Sequence, residues 1–115
     1  MPEKYLVNAC RQYLTMLQNQ GKLYYIRNNS GGMPLSYKTK AGRLKTRFVR
    51  FGQRGSSDFI VFFNNNNAVF IEAKSDTGKL SESQEEFKVT IRALGYAFHM
   101  VKDMAEVEQI VKNYI

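Results

Sequence analysis

The sequence predicts a single α/β domain in which helices flank a mixed β-sheet. Three observations predict it. An amphipathic helical pattern opens the chain, two further helical patterns in the second half follow capping signals, and short apolar runs bounded by glycine and asparagine lie between them. With 115 residues, 43% hydrophobic, 13% aromatic and only two prolines, the chain has the size of one domain and enough apolar residues to build a core.

In chain order, residues 3–19 place Tyr5, Leu6, Ala9, Tyr13, Leu14 and Leu17 at three- and four-residue steps, the stripe of a helix that Gly21 ends. Leu23 to Ile26 has strand composition, and Asn28–Asn29–Ser30–Gly31–Gly32 reads as a loop. In residues 33–57, Leu44, Thr46 and Phe48 alternate with Lys45 and Arg47, the two-residue period of a half-exposed strand. That region reads as a basic loop and strand, with Gly52 and Gly55 flanking the next turn. Asp58–Phe63 and Ala68–Lys74 are apolar strands joined by the polar turn Asn64–Asn67, an antiparallel hairpin. Ser81 followed three residues later by Gln84 fits a capping box. The helix it opens runs to Leu94 with Phe87, Ile91 and Leu94 inward, and Gly95 ends it. Tyr96–Val101 is a further strand, and Asp103 to Glu106 caps a last helix that buries Val107, Ile110 and Val111. No repeat or linker divides the chain.

The single cysteine, Cys10, excludes an internal disulfide and fits a reducing, intracellular setting. One cysteine and one histidine cannot build the usual four-ligand zinc site, so a metal would sit on oxygens, as magnesium or manganese does. There is no apolar run of about 20 residues and no signal-peptide pattern after Met1, so a cytoplasmic protein without a membrane span is expected. The charge is divided along the chain. Residues 1–57 hold eleven Lys/Arg against Glu3 alone, net +10, whereas residues 58–115 hold six against nine acids, net −3. Such one-sided positive charge attracts polyanions, nucleic acid foremost. Seven of the eleven, Lys38, Lys40, Arg43, Lys45, Arg47, Arg50 and Arg54, are threaded among Tyr37, Phe48 and Phe51. For these aromatics core packing is the default and base stacking or a dimer interface the functional alternative.

Glu72–Ala73–Lys74 carries the chemistry. Residues i and i+2 of a strand share a face, so Glu72 and Lys74 project together at the end of an apolar run. Asp58 begins the other strand of the same hairpin and can lie beside them. Two carboxylates make a hard-oxygen site for a divalent cation, and an adjacent lysine can hold a water or steady charge on a phosphate. The bland alternative is an ion pair at a strand end. A second Glu-x-Lys, Glu86–Phe87–Lys88, falls in a helix, where a two-residue step turns the side chains about 200° apart. His99 shares a strand face with Ala97 and Val101 and reads as structural.

The run Gly55–Ser56–Ser57–Asp58, then Val69–Phe70–Ile71–Glu72–Ala73–Lys74, then Gly78–Lys79–Leu80–Ser81, Gln84 and Gly95, resembles the VRR-NUC branch of the PD-(D/E)xK nucleases. Glu3 in the first helix and Arg27–Asn28–Asn29 resemble the family's opening. The resemblance implies a restriction-endonuclease-like fold over residues 1–115, with residues 33–57 as the basic substrate-binding region. It implies that Asp58, Glu72 and the backbone carbonyl of Ala73 hold Mg2+ or Mn2+, with Glu3 reaching the metal through water. Lys74 would orient the attacking water, and Gln84 would stand near the site. Ser57 departs from the family's proline before the aspartate. The implied activity is structure-specific endonucleolytic cleavage of branched DNA, four-way (Holliday) junctions included, by a homodimer of phage or bacterial type. Two rivals are a non-catalytic DNA-binding module of the same fold and a restriction-type enzyme acting on duplex DNA. The intact Asp58, Glu72 and Lys74 speak against the first, and the lack of a separate recognition segment against the second.

Overall fold

Helix α1 (Glu3–Asn19) buries Leu6, Cys10, Leu14 and Leu17, at steps of four, four and three. Tyr5, expected in the stripe, is 60% exposed. It lies about 100° round the helix from Leu6, so the stripe is centred on Cys10, with Ala9 and Tyr13 half-buried at its margins. The computed structural model describes residues 1–28, 32–50 and 53–115. Asn29, Ser30, Gly31, Phe51 and Gly52, which belong to the expected loop, aromatic set and turn, lie outside the described residues.

After α1 come strands β1 (Tyr24–Arg27), β2 (Gly32–Lys38), β3 (Leu44–Arg50), β4 (Phe59–Phe62) and β5 (Ala68–Ala73), then helix α2 (Glu82–Ala93), strand β6 (Ala97–Val101) and helix α3 (Met104–Lys112). The main sheet has the order β1-β4-β5-β6, antiparallel at its first two junctions and parallel between β5 and β6. The mixed sheet flanked by helices is therefore the fold. The β4–β5 turn holds Asn65 and Asn66 at φ +63° each, a left-handed conformation that asparagine tolerates.

The register divides the sheet into two faces. Phe59, Val61, Val69, Ile71, Ala73 and Val101 point to one face and form the core with α1 and α3, including Val107 and Val111. Phe70 and Phe98 point to the other, where Phe87 of α2 meets both rings edge-on at 5.7 and 6.1 Å. Leu94, expected inward, is 68% exposed. It is the C-cap of α2, where the chain leaves the helix for the Gly95 turn, and so it leaves the stripe of Phe87 and Ile91.

The principal difference from expectation is residues 33–43, read above as loop. β2 pairs with β3 from Gly32↔Arg50 to Lys38↔Leu44, closed by a turn in which Gly42 takes φ +80°. Met33, Leu35 and Tyr37 alternate with Pro34, Ser36 and Lys38, and Pro34 is tolerated because both strands are edges. This hairpin packs on no other strand or helix among the described residues. Leu44 and Phe48 are accordingly 69% and 59% exposed rather than half-buried, and Tyr37 is exposed rather than in the core. The hairpin is an arm. It makes the molecule 58 × 31 × 30 Å, with a radius of gyration of 16.9 Å against the roughly 13 Å of a compact chain this long.

Candidate metal centre

The sheet gathers separate segments at one end. Phe59 pairs with Ile71, so the antiparallel register sets Asp58, just before β4, against Glu72 near the end of β5. Two hydrogen bonds tie the two segments together. The Asp58 amide donates to Glu72 Oε1 at 3.1 Å, and the Ala73 amide donates to Asp58 Oδ2 at 2.9 Å. Glu3, in the first turn of α1, brings a third carboxylate, and oxygens of Glu3, Asp58 and Glu72 all lie within 4.8 Å of one another. Glu72 is 2% exposed, Asp58 half-buried and Glu3 exposed, so the cluster grades from the core to solvent.

Lys74 stands 3.7 Å through Nζ from Glu72 Oε2, as the shared strand face requires, and its amide donates to Val101 O. Gln84 serves twice. Its Oε1 accepts from the Ser81 amide as part of the capping box, and its Nε2 donates to Glu72 Oε2 at 3.3 Å. α2 is held there partly by Gly55, at φ +80°, where a Cβ would come within 2.4 Å of the Ser83 carbonyl oxygen. Ser57, standing where the family has proline, is fully buried and donates to Phe59 O at 3.1 Å. That bond steadies the approach to Asp58 without proline.

Arg27 is the site residue to which the sequence reading gave no role. Its guanidinium lies 3.5 Å from Asp58 Oδ1, donates to Asp58 O at 3.2 Å and sits over the Phe59 ring. The available signal was positional: the last residue of β1 faces Phe59 and hence Asp58.

Burial, and next the charge of Asp58, push the Glu72 carboxyl up to about 8; Lys74 pulls it down, while the shared hydrogen bond with Asp58 and the charge of Glu3 push it further up. Negative charge is thus undercompensated, and the oxygen donors fit a hard divalent cation rather than zinc. Cys10 offers no soft ligand, since burial pushes its thiol up to about 12.

The stability consequence has a definite sign. Between the ordinary value of 4.5 and about 8 the folded, metal-free protein keeps a proton that the unfolded chain has released. The contribution is fully present below 4.5 and is lost as pH rises through 8. Metal-free protein should therefore melt at a lower temperature at pH 9 than at pH 6, by a free energy on the order of a few kcal/mol, and Glu72→Gln should flatten the profile. Thermal unfolding in chelator across that range is the check; a melting temperature that rises with pH contradicts the burial argument.

The other expected site residues lie elsewhere. Lys38, Lys40, Arg43, Lys45 and Arg47 are exposed on the arm, and the side chain of Arg50 is outside the described residues. Lys45 and Arg47 share a face with Tyr37 and Leu35. Arg54 lines a cleft of about 240 Å³ with Glu82 and Glu86. Lys88 pairs with Glu85 at 3.1 Å and not with Glu86, so the helical Glu-x-Lys makes no site. His99 is half-buried on β6, opposite Ile71, and burial, then Arg92, hold its pKa below the ordinary value.

Residues 35–104, more than half of the chain and including Asp58, Glu72, Lys74 and Gln84, match the VRR-NUC domain. The chain belongs to the VRR-NUC family. A solved structure described as a VRR_NUC domain has the same fold, with a TM-score of 0.62 at 18% identity over 98% of this chain and 97% of that one. Among curated proteins none matches. VRR-NUC membership makes the chain a nuclease domain, a hydrolase with DNA as its substrate. Among the described residues no helix is long and apolar enough to cross a membrane.

Proposed function

We propose that residues 1–115 form one divalent-metal-dependent endonuclease domain that hydrolyses phosphodiesters in branched DNA, four-way junctions included, and works as a homodimer. The observation that carries this is the convergence of Glu3, Asp58 and Glu72 with Lys74 at one end of the sheet. Asp58, Glu72 and the Ala73 carbonyl would hold Mg2+ or Mn2+, with Glu3 reaching it through water. A bound ion of this kind polarises a phosphate oxygen and lowers the pKa of water.

The chain's own groups do the rest. Lys74, half-buried against Glu72, orients the attacking water and offsets charge that develops on the phosphate. Gln84 fixes one oxygen of Glu72, while Arg27 holds Asp58 in place. Branched DNA and a dimer are supported by two features. The arm carries cations on an extended two-stranded ribbon, able to reach along DNA from the carboxylates. Tyr24, Ile26 and Phe62 are exposed on one sheet face, an apolar surface suited to a second copy. Paired cuts across a junction need two sites related by symmetry.

The arm's role is tested by Arg43→Ala, Lys45→Ala and Arg47→Ala together. Each phosphate contact adds close to one unit to the slope of log affinity against log salt, so the triple variant should flatten it by up to about three units. The loss should be alike across base sequences and larger for a junction than for a duplex, measured by binding across a salt series. An unchanged slope would remove the arm from DNA binding. A loss confined to one base sequence would favour the restriction-type reading.

A further inference from the structure

A cleft of about 520 Å³ opens between α2 and β6, lined in part by Gly78, Lys79, Arg92, His99, Met100 and Lys102. It begins beside the carboxylates. Met100 pairs with Glu72 in the parallel register, and Lys74 bonds through its amide to Val101, the residue before Lys102. The backbone at Gly78 passes so near Lys74 that a Cβ there would lie 3.3 Å from Lys74 Cβ.

The sheet order fixes which flank this is. The arm joins the body through the end of β1 and the start of β4, whereas Lys102 follows β6. In the order β1-β4-β5-β6, Asp58, just before β4, and Glu72, on β5, stand between the end of β1 and the end of β6.

The cleft is also positive in a way the rest of the second half is not. Lys79, Arg92 and Lys102 enter no ion pair among the described residues. Two of them are held by carbonyls: Arg92 donates to Phe98 O and Lys102 to Asp76 O, both at 3.0 Å. Such bonds fix the cations in position without neutralising them. Lys88 and one acid, Glu85, line the cleft too, and the acids in and beside it already have partners. Glu85 takes Lys88 at 3.1 Å, and Asp76, which also feels Lys102, takes the N-terminal ammonium at 2.8 Å. The cleft beside Arg54 differs, because two acids, Glu82 and Glu86, line it against that one cation.

We propose that Lys79, Arg92 and Lys102 form a second phosphate track, which holds the DNA backbone on the flank of the metal centre opposite the arm. DNA would then be gripped on both sides of the scissile phosphate, by the arm on one flank and the α2–β6 cleft on the other. The proposal rests on the nuclease reading above, and its test separates the two.

The test uses the full chain carrying Lys79→Gln and Lys102→Gln, singly and together, with Arg92→Lys as a charge-conserving comparison. Binding is measured across a salt series on DNA shortened on one side, or the other, of the mapped cut. Each lysine should contribute about one unit of slope, so the double variant loses about two, while Arg92→Lys stays near wild type. Shortening one flank should weaken wild type and leave the double variant indifferent. The arm variant should be indifferent to shortening the other flank. Lys79 is exposed, so Lys79→Gln alone decides the matter if the double variant fails to fold. Wild-type protein that cuts DNA beside a double variant of unchanged slope overturns the second track alone. A double variant that responds to both truncations as wild type does has the same meaning. Wild-type protein that neither binds nor cuts DNA overturns both readings.

Discussion

Asp58→Ala, Glu72→Ala and Lys74→Ala should each lower DNA cleavage by more than about a hundred-fold, beyond the 10–100-fold typical of groups one shell out from a metal. The three do different work. Asp58 receives the Ala73 amide and is held by Arg27, so its removal frees two donors as well as deleting a proposed metal ligand. Lys74 is held 3.7 Å from Glu72 and partly shielded from water, and among the described residues no other cation pairs with Glu72. Glu72 separates chemistry from structure most cleanly. Its buried carboxyl is pushed up to about 8, so Glu72→Gln should lose activity while gaining stability in the metal-free state above that pH. Single-turnover cleavage and thermal unfolding on the same preparations read both effects. Glu86→Gln, in the second Glu-x-Lys, should cut at nearly the wild-type rate, since Glu86 is not paired with Lys88. Wild-type cleavage by Lys74→Ala would remove the assigned site.

Chelation should have an effect as large. Without divalent ions cleavage should fall by at least about a thousand-fold, on the scale expected when a polarising group is removed from the reacting oxygen. DNA binding should persist, because the cations of the arm are carried on a hairpin that packs on no other described element. Magnesium or manganese should restore turnover. Calcium, with its larger and looser shell, should support binding and little cutting. Binding that disappears with the metal would mean that the ion, rather than the arm, holds the DNA.

Much of the fold and the centre of the site was legible in the sequence, because both are set by short-range patterns. The two-residue period set Glu72 beside Lys74, the hairpin brought Asp58 to them, and Ser81 with Gln84 capped α2 as a capping box should. The arm was half legible. The alternation Met33–Leu35–Tyr37 was present, but Pro34 and the basic residues read as loop, and alternation ordinarily implies a buried face that this hairpin lacks. The places of Glu3 and Arg27 depend on how α1 and β1 dock on the sheet, a long-range outcome that no local period encodes. The cleft cations Lys79, Arg92 and Lys102 are scattered along a stretch of net negative charge, and only the parallel β5–β6 junction brings them together.

The most direct test of the central claim is one rate comparison: single-turnover cleavage of a labelled four-way junction by wild type and Glu72→Gln, in magnesium and in chelator. The wild type should cut in magnesium alone, and Glu72→Gln should cut no faster than background in either condition. Equal cutting in chelator, or wild-type cutting by Glu72→Gln, would contradict that claim.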